Sequence, residues 1–115
     1  MHIDEFREYC LGKKGTTEAF PFDSSTLAFK VKGKIFALCN VDEFESFNLK
    51  CEPEYAVELR ENYPDLIVPG YHMNKKHWNT VKSSGPDINL QKKLIDLSYD
   101  LVVASLPKKL QVELM

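Results

Sequence analysis

Ile3, Phe6 and Cys10 recur at helical spacing, with Tyr9 and Leu11 beside them, so the chain opens with an amphipathic helix of about three turns. Gly12 and Gly15, flanking Lys13 and Lys14, end it. The periodicity then lapses. Thr16 to Ser25 predicts irregular chain, in which Phe20 and Phe22 around Pro21 suit an edge or a loop that plugs the core. Alternation begins at Leu27: Leu27, Phe29 and Val31 point one way, and Ala28, Lys30 and Lys32 the other. Lys34 to Cys39 is the return strand, because Lys32-Gly33-Lys34 between two apolar runs is a hairpin signal. Beyond an acidic loop at Asp42, Glu43 and Glu45 the alternation resumes. Phe47, Leu49 and Cys51 face inward, and Asn48 and Lys50 outward. These runs predict an antiparallel meander with one face on the core.

Pro53, with Glu52 and Glu54 around it, opens a second helix whose stripe is Tyr55, Ala56 and Leu59; Asn62-Tyr63-Pro64 ends it. Leu66, Ile67 and Val68 form a short buried run. Pro69-Gly70 predicts a type II turn, and Tyr71 to Met73 with His77 to Lys82 are the expected arms of a second hairpin. Asp87 is the expected N-cap of the longest helix, whose stripe is Leu90, Leu94, Leu97 and Leu101. Pro107 ends that helix or begins another. Helices at both ends with strands between predict one α+β domain over residues 1–115: a two-layer sandwich with an antiparallel sheet and helices on one face.

At 115 residues and 43% apolar composition the chain buries a core without metal or disulfide staples. Cys10, Cys39 and Cys51 are odd in number and unevenly spaced, which predicts small buried hydrophobes of a reducing compartment. A polar N-terminal segment and the lack of any long apolar run lead us to expect a cytoplasmic chain, monomeric and off the membrane. The net charge of −2 weighs against a dedicated high-affinity nucleic-acid binder but permits a local basic patch.

Such a patch exists. From Leu66 to Pro86 there is no Asp or Glu, but there are the lysines Lys75, Lys76 and Lys82. The tip Asn74-Lys75-Lys76, beside His72, His77 and Trp78, is a basic ribbon suited to a phosphate backbone. Lys75, Lys76, Lys32 and Lys34 are the candidate phosphate contacts. Asn74, Asn79, Thr80, His72 and His77 are candidate hydrogen-bonding partners, with Lys82 adding charge and Trp78 supporting the ribbon. No nucleophile lies in a recognisable motif, and His72 and His77 have no third ligand in their segment. The expected role is therefore non-enzymatic, with no catalytic residue, metal site or cofactor. The alternatives are a protein- or small-anion-binding module using the Pro69–Val81 hairpin and, more distantly, iron handling by Asp4, Glu5 and Glu8.

Two blocks carry a family likeness. One is Pro21-Phe22-Asp23 running into the Leu27–Leu38 hairpin; the other is Leu49 to Glu54, Leu59-Arg60 and Pro69 to Val81. Together they resemble the MmcQ/YjbR family of small bacterial proteins. The resemblance implies a frataxin-like (CyaY-like) fold and DNA binding through two hairpin wings, here the turns at Lys32-Gly33-Lys34 and Asn74-Lys75-Lys76.

Overall fold

The computed structural model describes residues 1–70 and 73–115. Helix α1 (Ile3–Leu11) leads into strands β1 (Thr16–Ala19), β2 (Thr26–Val31), β3 (Lys34–Asn40) and β4 (Ser46–Lys50). Helix α2 (Pro53–Asn62) crosses to β5 (Ile67–Pro69) and β6 (Trp78–Lys82), and α3 (Ile88–Ala104) and α4 (Lys108–Glu113) close the chain. The strands form one sheet in the order β1-β2-β3-β4-β6-β5, antiparallel throughout. This is the α+β architecture expected from the order of the elements.

The helix ends follow local chemistry. The Glu5 carboxylate accepts from the His2 backbone N–H at 3.1 Å. Glu52 accepts from Glu54 N–H at 3.4 Å, with Pro53 at the first helical position. Asp87 accepts from Asn89 N–H at 3.1 Å, as its position before α3 predicts.

The core lies between the sheet and the helices. Phe6 of α1 is fully buried, stacked on Phe47 at 4.5 Å between ring centroids and edge-on to Phe29 at 5.6 Å. Burying one such ring stabilises by roughly 1.5–3 kcal/mol, before the smaller gain from ring–ring geometry. Leu94, Ile95 and Val102 of α3 complete this layer, and Ala56 and Leu59 of α2 extend it. The ladder between β2 and β3 slips between Phe29 and Lys30. Next to this irregularity the fully buried Ser98 of α3 enters the sheet. Its hydroxyl accepts from Lys50 N–H at 2.8 Å and donates to Phe36 C=O at 2.5 Å. It thereby joins β3 to β4 just past Ala37–Leu49, the last direct pair at that end.

Four expectations need correction. Thr16–Ala19 is a strand, not irregular chain: it pairs with β2, Thr16 opposite Val31 and Ala19 opposite Ala28. Phe20 and Phe22 do not plug the core but are 50% and 69% exposed. The arm opposite β6 is Ile67–Pro69, one element earlier than expected; Tyr71 and His72, assigned to that arm, lie outside the described residues. Gly70 does not occupy the left-handed region a type II turn requires. It continues the ladder with its N–H on Trp78 C=O at 2.9 Å. A Cβ there would come within 2.8 Å of the Trp78 Cβ, so glycine is needed for close approach.

Candidate nucleic-acid interface

Antiparallel topology decides which turns are neighbours. β2 runs towards the Lys32-Gly33 turn, and β4 runs the same way to Lys50. β6 starts opposite Lys50 at Trp78, so the loop between β5 and β6 emerges at this end too. The turns at residues 32–34 and 74–76 therefore leave the same end of the sheet. The strand order separates their midpoints by three strand spacings, about 14 Å at ~4.8 Å each.

Each turn has a local cause. Lys32 and Gly33 have φ of 51° and 80°. Positive φ at both central residues of a two-residue hairpin is the type I′ pattern, which matches strand twist. Lys32, Gly33 and Lys34 are exposed, and the Lys32 ammonium lies 3.2 Å from the Glu113 carboxylate. In the second turn the Asn74 carbonyl accepts from His77 and Trp78 N–H at 3.1 and 3.0 Å, and its side-chain oxygen accepts from Lys76 N–H at 3.0 Å. This Asx turn holds Lys75 and Lys76 at an exposed tip. His77 is half-buried, and its carbonyl accepts from Cys51 N–H at 2.7 Å, tying the turn to the end of β4.

Other expected contacts lie elsewhere. Asn79 is 2% exposed and faces the helices; its amide donates to Ala56 C=O at 3.4 Å. It shares strand parity with buried Val81, so it cannot reach a phosphate. Lys82 is exposed but lies at the opposite end of β6, opposite Ser46 and next to Ser83, whose N–H donates to Glu45 C=O at 2.9 Å. The length of β6 separates it from the basic end, and it lies instead beside the acidic loop before β4. Thr80 is half-buried in mid-strand, and its hydroxyl donates to Asn48 Oδ1 at 2.5 Å. His72 lies outside the described residues. Of the ten candidates, the structure thus groups Asn74, Lys75, Lys76 and His77 in one turn and Lys32 and Lys34 in the other.

Between and below these turns is the sheet face away from the helices. Register places Ala28, Leu38, Asn48, Thr80 and Val68 in one row across it, with Lys50 opposite Trp78 nearer the basic end. Among the described residues the strands put no carboxylate on this face. Glu18, the acidic residue within the strands, points to the helices and pairs with Arg7 at 2.7 Å, which raises the guanidinium pKa. A cleft of about 570 Å³ lies on the open face, with Ile35, Leu38, Asn48, Trp78 and Thr80 on its lining and Phe22 at its edge. The Phe22 loop is pinned next door by Asp23, which accepts from Ser25 and Thr26 N–H at 2.8 and 2.7 Å. These bonds lower the Asp23 pKa. The sequence pattern shows Asn48 and Lys50 facing outward but gives no sign of the cleft; the parity of Trp78 with Thr80 is the signal that places the ring there.

The carboxylates of the helical layer do not gather into a ligand set. Asp4, Glu5 and Glu8 share α1, yet among the described residues no group of three or more His, Cys, Asp or Glu side chains comes together to hold a metal ion. Likewise, among the described residues no helix is long and apolar enough to cross a membrane.

The class this geometry defines is a small antiparallel α+β domain, acidic on its helices and free of strand carboxylates on its open face, with lysine-tipped turns at one end. The YjbR family model matches residues 11–101. The chain is 36% identical to Escherichia coli YjbR over 120 residues, covering 99% of this chain and all of that protein. It is 42% identical to E. coli YbdF over 93 residues, 78% of this chain and 75% of that protein. Among solved structures, Deinococcus radiodurans DR2400, a DUF419 domain, superposes with a TM-score of 0.92 at 38% identity, covering 97% of this chain and 86% of that one. A Pseudomonas syringae protein superposes at 0.74 with 30% identity, covering 88% and 98%. The chain belongs to the YjbR family.

Proposed function

We propose that the protein binds DNA by its phosphate backbone, without catalysis, through the turns at Lys32-Gly33-Lys34 and Asn74-Lys75-Lys76. The observation that carries this reading is that both turns leave the same end of the sheet, about 14 Å apart. That spacing is close to the ~12 Å width of the major groove, so the turns suit phosphates on its two sides. Backbone contact of this kind is sequence-independent, and its affinity falls with salt as counterions are released. Lys34, Lys75 and Lys76 supply the charge; Lys32 supplies less, because Glu113 already neutralises part of it. The net charge of −2 keeps the binding weak.

The test is fluorescence anisotropy of a labelled duplex across a salt series. Each neutralised phosphate contributes about −0.9 to the slope of log affinity against log salt. Lys75→Glu with Lys76→Glu removes two such contacts, so the slope becomes shallower by about 1.8 and affinity falls at every salt concentration. Unchanged affinity of the double variant at low salt refutes the assignment.

A further inference from the structure

We infer that the cleft on the open sheet face holds an unpaired base of a single-stranded nucleic acid, stacked on Trp78, while the basic end holds the flanking phosphates. The inference rests on the phosphate-binding reading and names the form of nucleic acid that the same end of the sheet selects.

Three observations carry it. The first is shape and lining. At about 570 Å³ the cleft is large enough for a base and its sugar, and its lining combines apolar Ile35 and Leu38, the Trp78 ring and polar Asn48. Phe22, 69% exposed at the edge of the cleft, adds a second aromatic surface on a loop whose conformation is fixed by Asp23.

The second is charge. The strands bring Lys30, Lys50 and Lys82 to this face and, among the described residues, no carboxylate. Lys50 sits directly opposite Trp78, so a cation flanks the ring where a base-bearing strand would place a phosphate. A lysine-flanked aromatic on an open sheet is the arrangement by which single strands are held: the ring stacks on any base, and the charge follows the backbone.

The third is hydrogen bonding. The Thr80 hydroxyl donates to Asn48 Oδ1 at 2.5 Å, which fixes the carboxamide with its oxygen toward Thr80. The Asn48 NH2 is then a donor for a base edge. A duplex cannot use this site, because its bases offer only their edges to a groove-binding surface and keep their ring faces stacked inside.

The chain has a single tryptophan, so its emission reports on the cleft directly. The experiment titrates the full chain at low salt with octathymidylate, a duplex of equal length, inorganic polyphosphate and polyglutamate, reading Trp78 emission and, for the nucleic acids, anisotropy. Octathymidylate alone is expected to quench the emission. Phe22→Ala and Asn48→Asp, the latter keeping an acceptor for Thr80, are expected to weaken single-strand binding about five-fold or more. Duplex affinity should be unchanged in Phe22→Ala, and in Asn48→Asp, whose added charge acts on any polyanion, it should fall less than single-strand affinity. Equal quenching by polyphosphate overturns the inference in favour of an anion site, and equal quenching by polyglutamate in favour of an acidic peptide. Duplex binding by anisotropy, with octathymidylate leaving Trp78 emission unchanged, overturns the cleft while sparing the turns. Failure of both nucleic acids to bind overturns both readings.

Discussion

Replacing Ser98 by alanine tests whether the α3 hydroxyl fastens the sheet where its own ladder stops. The side chain is fully buried and serves two backbone groups, Lys50 N–H at 2.8 Å and Phe36 C=O at 2.5 Å. Removing the oxygen leaves both unpaired in a place where β3 and β4 no longer pair directly. An unsatisfied buried backbone group costs roughly 1–3 kcal/mol, so at about 1.5 kcal/mol each, in the lower half of that range, the pair costs about 3 kcal/mol. Alanine recovers roughly 0.5 kcal/mol through better helix propensity in mid-α3. The expected loss is therefore about 2.5 kcal/mol. With an unfolding entropy of ~2.1 cal/mol/K per residue, that lowers the melting temperature by about 10 °C. Urea unfolding followed by circular dichroism should show the midpoint falling at constant slope, since the exposed surface is unchanged. Ser105→Ala is the control. Its hydroxyl donates to Val102 C=O at 2.6 Å at the exposed end of α3, and its loss should cost less than about 0.5 kcal/mol. A Ser98→Ala loss no larger than the control's refutes the bridge.

Other predictions follow from the same geometry. Lys32→Asn places the preferred residue at a positive-φ turn position and should raise stability by about 0.5 kcal/mol; it also removes a lysine from the basic end, so duplex affinity should fall while the urea midpoint rises. Asn79→Leu should change stability by less than about 1 kcal/mol, because Ala56 C=O keeps the Arg60 side chain at 3.1 Å and the Asn79 Oδ1 has no protein partner among the described residues. The same variant should leave nucleic-acid affinity unchanged, and a change would show that Asn79 reaches the ligand. Burial raises all three thiols, to about 12 at Cys39 and about 11 at Cys51, with Cys10 also pushed up. Below the unfolded thiol value near 8.5 both states are protonated; above it the unfolded chain loses protons first, so the urea midpoint should fall between about pH 8.5 and 11. A flat profile there, or rapid thiol labelling of the native protein at pH 8, refutes the burial.

What the sequence made legible depended on apolar periodicity. α1, β2, β3, β4 and α3 each carry a stripe or an alternation strong enough to fix element and face, and they lie where Phe6, Phe29, Phe47 and Leu94 indicate. β1 is Thr-Thr-Glu-Ala, held by its register with β2 and not by apolar burial, so no pattern announced it. β5 is three residues long, and its buried Ile67 is indistinguishable in sequence from any short apolar run. At the site, the lysine turns were visible because Gly33 and Asn74 mark turn chemistry. Asn79 misled because its polarity suggested an outward position, whereas its parity with Val81 turns it inward. The cleft was hidden because it joins Phe22, Ile35, Asn48 and Trp78 from four separate segments, and only the strand order brings them together.

The two outermost strands have a consequence for how this domain meets other molecules. β1 is four residues long and polar, and β5 is three residues long and ends on Pro69, which has no N–H to offer. Neither rim gives an incoming strand a long run of unpaired amides to zip onto, so growth of the sheet from one molecule into the next is disfavoured. The flat side remains as the approach. The rims are closed to strand addition while the broad surface between them stays available.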